Sequence, residues 1–338
     1  MNSNSPVKMK RSFLSSILFV LLFSACSVSE TKKDNQIDPQ IKKEIHVLNN
    51  RIVDGIVENN ISRILPDFDD RLKDNKKVVL QLIEVVKGAL KVKDYRILNE
   101  FYQKNAAKKG IATVSSGTGN LHDYQLTYDS HNKEMYVITS SFEDSVYQKS
   151  FTFVYAKQGN RWKLNNLQAG VLKITRKDAI DWYQQAKTEY KKGYLMDAMC
   201  HVTLATRILN PANHMWQYNK GKEIQLFERQ ITKQIYSKYH FPFTVTDVPS
   251  KPVIYRVYSE VAPNACFPLV IYTTSVDLND MSALGNECKA IHKSIGTLFH
   301  GLDTNNDMIL YKPLKSIPTG TNPENLNDHK SIFLVKTH

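Results

Sequence analysis

Apolar and polar residues alternate with two periods along this chain, and the period changes from one stretch to the next. From Ile41 to Leu65, apolar residues at Ile45, Leu48, Ile52, Ile56, Ile61 and Ile64 follow helical spacing. A second amphipathic stretch, 76–90, places Val79, Leu80, Leu82, Ile83, Val86 and Leu90 on one face. Pro66 and the acidic run 67–70 break the chain between the two. From Tyr95 the period falls toward two. Strands are expected at 96–102, 123–128, 134–142, 148–156 and 162–171, with turns at Asp129-Ser130-His131-Asn132 and Gln158-Gly159-Asn160. Helical spacing returns from Ala179 through Pro211, and a further helix is expected over about 214–239, with Trp216, Ile224, Phe227, Ile231 and Ile235 apolar. After Pro249-Ser250-Lys251-Pro252 come strands at 253–259 and 267–276. A helix capped by Asp280 and striped by Leu284, Cys288, Ile291, Ile295, Leu298 and Leu302 follows, and it ends at Gly301. Strands at 308–311 and 331–335 close the pattern.

Helices followed by long antiparallel strands define an α+β class. Three bodies are expected: a helix-plus-curved-sheet domain over 41–174, a helical segment over 175–240, and a small two-layer ββαββ domain over 241–338. The pair Phe151–Tyr155 and Gly159–Leu164 is similar to the last hairpin of nuclear-transport-factor-2-like (cystatin-like cone) domains. That resemblance implies a pocket between sheet and helices, used by different members for catalysis or binding, or left inert. Enzymes of that kind place an Asp–His or similar dyad there. His122 and Asp123 are adjacent in sequence, but neighbours on a strand point to opposite faces. Trp182, Ala186, Tyr190, Gly193, Ala198, Ala205 and Pro211 resemble one tetratricopeptide repeat, with Leu195, Val202 and a late Pro211 departing from the pattern. One such repeat cannot bury its apolar face alone, so it must pack on a flanking domain or a protein partner, and Trp182 and Tyr190 are its candidate contact residues.

The first residues decide what the charge means. Lys8, Lys10 and Arg11 precede an apolar run from Ser12 to Phe23, too short for the roughly 20 residues of a membrane span. Ser24-Ala25-Cys26 resembles the end of a bacterial lipoprotein signal, with Phe23 where an aliphatic residue is usual. The resemblance implies removal of residues 1–25 and acyl chains on Cys26, each buried CH₂ contributing roughly 0.8 kcal/mol. Residues 26–40, polar and without apolar period, then read as a tether. Ser27 is not the Asp that such a resemblance associates with the inner membrane, so an outer-membrane, cell-envelope location is expected.

The 338 residues carry 45 Lys+Arg and 33 Asp+Glu, a net +12. Residues 1–25 hold three bases and no acid, leaving +9 for the exported part. Most of it falls in 101–175 (+4) and 176–238 (+5). With export expected and no nucleic-acid motif, nucleic acid is excluded as a partner, and a solvated face or an anionic envelope surface takes its place.

Candidate chemistry is sparse. With Cys26 lipidated, Cys200 reads as a small core residue, while Cys266 and Cys288 could form a disulfide or remain two buried thiols. A bridge would close about 23 residues and stabilise by about 3 kcal/mol. Asp303, Asn305 and Asp307 alternate as in a calcium loop, but Met308 stands at the sharp-turn glycine and Leu314 at the bidentate carboxylate, so a turn accounts for them. No HExxH, GxSxG, P-loop or GxGxxG occurs, and no metal or cofactor is expected. The reading is a non-enzymatic, membrane-anchored binding or scaffold protein. The alternative is a small-molecule binder or enzyme using the first domain's pocket.

Overall fold

A computed structural model describes residues 29–75, 95–142, 146–263, 265–317 and 332–337, with Lys77, Leu80, Gln81 and Glu84 between the first two blocks. The signal segment and Cys26 lie outside the described residues. So does the expected 76–90 helix, apart from those four positions, which are helical.

The fold is α+β. A five-stranded sheet has the order β1 (Glu30–Lys33), β2 (Tyr95–Lys104), β5 (Glu134–Phe142), β6 (Tyr147–Gln158) and β7 (Arg161–Ile174), every pairing antiparallel. Helix α1 (Pro39–Val57) lies on one face. Asp38 starts it by accepting from the backbone N–H groups of Gln40 and Ile41, and Pro39 fills the first turn, where its missing N–H costs nothing. Its buried stripe is Ile45, Leu48, Ile52 and Ile56, as the spacing predicts. The helix does not run on to Leu65. Asn59 turns it in the left-handed region, and Asn60 caps a separate short helix, α2 (Ile61–Ile64). A second short helix, α3 (Asp70–Asp74), follows.

The segment expected as a tether is partly folded. Glu30–Lys33 forms the edge strand β1, Ile37 is buried, and α1 begins at Pro39. Two more strands had no clear sequence signal. β3 (Gly110–Ser115) pairs with β4 (Tyr124–Ser130), and β9 (Trp216–Tyr218) pairs with the other edge of β4. The helix expected from 214 therefore starts only at Gly221, as α6 (Gly221–Tyr239). Trp216 stacks on Tyr124 at 3.6 Å between ring centroids instead of capping the helical hairpin.

That hairpin is α4 (Ala179–Lys191) and α5 (Leu195–Arg207). Gly193 joins them at φ +80°, a conformation that glycine adopts without steric cost. Ala186, Ala198 and Ala205 are fully buried, which lets the two helix backbones approach closely. Short strands β8 (Pro211–His214) and β10 (Phe243–Thr244) flank α6. The C-terminal sheet has the order β10, β11 (Val253–Ala262), β12 (Ala265–Thr273), β13 (Met308–Leu314), β14 (Phe333–Lys336). β12 and β13 are parallel, joined through α7 (Met281–Leu298), whose Asp280 cap accepts from Ala283 N–H.

The three expected bodies share a core. One apolar cluster contains Met135 and Val137 of the first sheet, Trp182 and Val202 of the hairpin, and Val270 and Ile291 of the C-terminal unit. A second, under α1, contains Ile45, Tyr136, Phe153 and Tyr155. Gly170 shows how tightly the units meet. A Cβ there would collide with the Pro211 backbone, so β7 and β8 can touch only over glycine. Gly170→Ala should lower stability by about 2 kcal/mol in denaturant titration; an unchanged midpoint would show that the contact yields freely.

Candidate functional site

An open cleft of about 560 Å³ lies between α1 and the turn from β6 to β7, lined by Val47, Leu48, Arg51 and Trp162 among others, and the space deeper between sheet and α1 is packed. Tyr136, Phe151, Phe153 and Tyr155 fill the space, and their polar tips are committed. Tyr155 donates to Asn49 Oδ1 at 2.8 Å, Asn49 donates to the Tyr95 hydroxyl at 2.7 Å, and Tyr136 donates to Glu100 at 2.7 Å. Glu100 also meets His46 at 2.6 Å and Lys42 at 2.8 Å. Burial pushes the Tyr95 hydroxyl up to about 12, so it stays protonated and acts as a structural hydrogen-bonding group.

His122 and Asp123 do not pair. Asp123 accepts from Asn120 N–H at 2.7 Å and from Ser116 Oγ at 3.3 Å. His122 Nδ1 instead sits 2.6 Å from Asp178 Oδ2, with Asp181 3.9 Å from its other nitrogen. These three side chains bring possible metal-ligand atoms within 4.8 Å of one another. Their carboxylates are already engaged, however. Asp178 Oδ1 caps α4 by accepting from Ile180 and Asp181 N–H, and Asp181 returns the bond to Asp178 N–H. The group is a capping box with a histidine docked on it.

The densest polar constellation lies where the hairpin meets the C-terminal unit. Glu189 on α4 and His201 on α5 are both buried, and Glu189 Oε2 is 2.6 Å from His201 Nδ1. Trp182 stacks on the His201 ring at 5.1 Å, and Lys177 lies 4.5 Å above the Trp182 ring. From the loop after α7, Asn305 reaches Glu189 at 3.4 Å and Asn306 donates to Asp197 at 2.7 Å. The residues that spaced like a calcium loop thus tie α4 and α5 to the C-terminal unit through their amides. A cavity of about 280 Å³ opens beside them, lined by Lys177, Trp182, Glu189, His201 and Cys266 among others.

A thiol near a His–carboxylate pair invites comparison with nucleophilic catalysis, but the geometry does not make that bond. Cys266 Sγ contacts Thr175 Oγ1 at 3.8 Å, and His201 Nε2 faces Gln185 at 3.5 Å. Burial pushes the Cys266 thiol up, away from the thiolate that attack would need.

Cys266 and Cys288 form no disulfide. Cys288 Sγ lies 3.3 Å from the Tyr272 hydroxyl, and Tyr272 is six residues, about 20 Å of strand, beyond Cys266. A bridge needs Cα atoms within roughly 7 Å. Cys200 is buried in the core, as expected.

Trp182, expected to be available to a partner, is only 3% exposed and spends its face on His201. Tyr190 is half-buried, stacks edge-on to Phe227 at 5.4 Å, and accepts from Gln230 and Gln234 at 3.0 and 2.8 Å. It lines an open cleft of about 800 Å³ between the hairpin turn and α6, with Gly193, Leu195, Gln230, Lys233 and Lys238. Its only charged lining residues are the two lysines. Sequence reading found Tyr190 through the repeat pattern, but it missed the lysines, which carry no motif.

No protein-family model, curated protein or solved structure matches this chain. No helix among the described residues is long and apolar enough to cross a membrane.

Asp197 is 1% exposed, and one of its carboxylate oxygens has no partner among the described residues. Burial raises its carboxyl from the ordinary 3.8 to about 6; the Asn306 bond opposes this and Glu189 adds to it. A raised acid binds its proton more tightly folded than unfolded, so stability falls as pH climbs from about 4 to 6. Asp197→Asn keeps the Asn306 bond and removes the titration. Its stability relative to the unsubstituted protein should rise by about 2 kcal/mol between pH 4 and pH 7, read by thermal unfolding. A pH-independent difference would place the charge elsewhere. Titration of the denatured, unreduced chain should find Cys200, Cys266 and Cys288 all free, whereas a bridge between Cys266 and Cys288 would leave only Cys200.

Proposed function

We propose that this chain is a non-enzymatic envelope lipoprotein, anchored by acyl chains on Cys26, that acts as a rigid binding scaffold. The observation that carries the reading is the filled interior of the first domain. The pocket that an enzyme or small-molecule binder of the cone type would use is occupied by tyrosines and phenylalanines whose hydroxyls are tied to Asn49 and Glu100. Of the clefts outside it, the largest volume belongs to the one at Tyr190, whose lysines suit an acidic protein segment. The shared core supports a scaffold as well, because a partner bound at the cleft meets one body in place of three hinged ones.

The anchor rests on Lys8, Lys10 and Arg11, the apolar run to Phe23, and Ser24-Ala25-Cys26. On this reading the outer membrane is favoured by Ser27, and nucleic acid is not a partner. Cys26→Ser should move the protein from the membrane to the soluble fraction of lysed cells, and membrane retention of that variant would overturn the anchor.

A further inference from the structure

A lipid on Cys26 would be unusually close to the folded body. At most about 14 Å of extended chain separates Cys26 from Glu30, the first residue of β1. The acyl chains would therefore hold one particular end of the five-stranded sheet at the membrane. That end is set by register. Glu30 lies opposite Lys104, Lys104 opposite Glu134, and β6 turns into β7 beside them at Gln158 and Arg161.

Two features of this end suit a lipid surface. The first is charge: Lys104, Lys108, Lys109 and Lys133 are all exposed, and none is in an ion pair among the described residues. Of the nearby carboxylates, Glu30 is paired with Lys32 at 3.4 Å. Glu134 is held by Tyr102 at 2.8 Å and Lys157 at 3.3 Å, which leaves exposed Asp129 and the helix-capping Asp38 as opposing charges, two against four lysines. The second is an apolar tip. Between β2 and β3 the chain reads Asn105-Ala106-Ala107-Lys108-Lys109-Gly110-Ile111, exposed from Ala106 onward. Ile111 is 77% exposed, more than any other large apolar residue described. Small and aliphatic residues flanked by lysines match the boundary of a bilayer, where the apolar atoms meet acyl chains and the ammonium groups reach up to phosphates.

We propose that the loop from Lys104 to Ile111, with Lys133, is a second membrane contact that seats on the anionic headgroups of the leaflet holding the Cys26 lipid. It rests on the lipoprotein reading for its location. The lipid fixes the distance from the membrane and the lysines fix the tilt. β7 then carries the chain roughly 40 Å along its strand, from Arg161 at this end to Ile174, where the helical hairpin begins.

The test compares amine labelling by a water-soluble acylating reagent on the anchored, unsubstituted protein in membranes and on the full Cys26→Ser chain free in solution. Lys104, Lys108, Lys109 and Lys133 should label about fivefold less on the membrane, while Lys233 and Lys238 label equally. Equal labelling of the first four overturns the contact. In a second arm, the Cys26→Ser chain should sediment at low salt with vesicles of phosphatidylglycerol but not of phosphatidylcholine. The added pair Lys108→Glu and Lys109→Glu should weaken this about tenfold. Loss to both vesicles overturns the contact, and so does equal binding to both. An unsubstituted protein found soluble that still binds the anionic vesicles would sink the anchor and leave the basic face standing.

Discussion

Burial of the central sheet on both faces is the constraint on which the other contacts depend. β5 is buried at every position from Met135 to Phe142, with Tyr136 and Ile138 under α1 and Met135 and Val137 against the opposite cluster. A strand covered on both sides cannot leave either face to water, so something must lie on each. α1 supplies one cover. The other is built from β3, β4, β9 and the helical hairpin, which is why a lone helical hairpin can be stable here. Its unpartnered apolar face is the lid of someone else's core, and the C-terminal unit closes it from the far side.

The same constraint separates what the sequence revealed from what it concealed. α1, the hairpin and α7 were legible because each buries one stripe, so Ile45, Leu48, Ile52 and Leu284, Cys288, Ile291 repeat at helical spacing. The long strands were legible by run length and turn residues. β1 was not, since its four residues are polar and its place is set by pairing with β2, some seventy positions away. β9 was hidden for a related reason. Trp216 fits a helix as well as a strand by local pattern, and only stacking on Tyr124 decides between them. Trp182 drew notice through its helical spacing, yet its burial follows from His201 and Lys177, which no spacing rule joins to it.

The junction beside His201 shows how polarity is distributed in a chain with so little readable chemistry. Glu189, Asp197, His201, Asn305 and Asn306 could have marked an active site, and each has a burial that would suit one. Their bonds run mainly to one another, however, and a buried network with nearly all its members satisfied serves to fix one arrangement of the elements that carry it. Two asparagines from the loop after α7 read the carboxylates of α4 and α5. Apolar packing alone would tolerate a sliding hairpin, and directional amide–carboxylate bonds do not.

Charge, finally, is organised around that fixed body. The net positive charge after residue 25, +9, is concentrated in residues 101–238, and the fold carries the exposed lysines of that stretch to different places. Lys104, Lys108, Lys109 and Lys133 gather at the end of the sheet where β1 begins at Glu30, and Lys233 and Lys238 gather at the cleft beyond the hairpin turn. Two basic patches on a hinged chain could both reach the same anionic surface. On a body whose halves share one core, the two groups of lysines keep fixed places relative to each other. Rigidity is therefore what would let one charge type serve the two proposed contacts, a lipid surface and an acidic segment, without exchanging them.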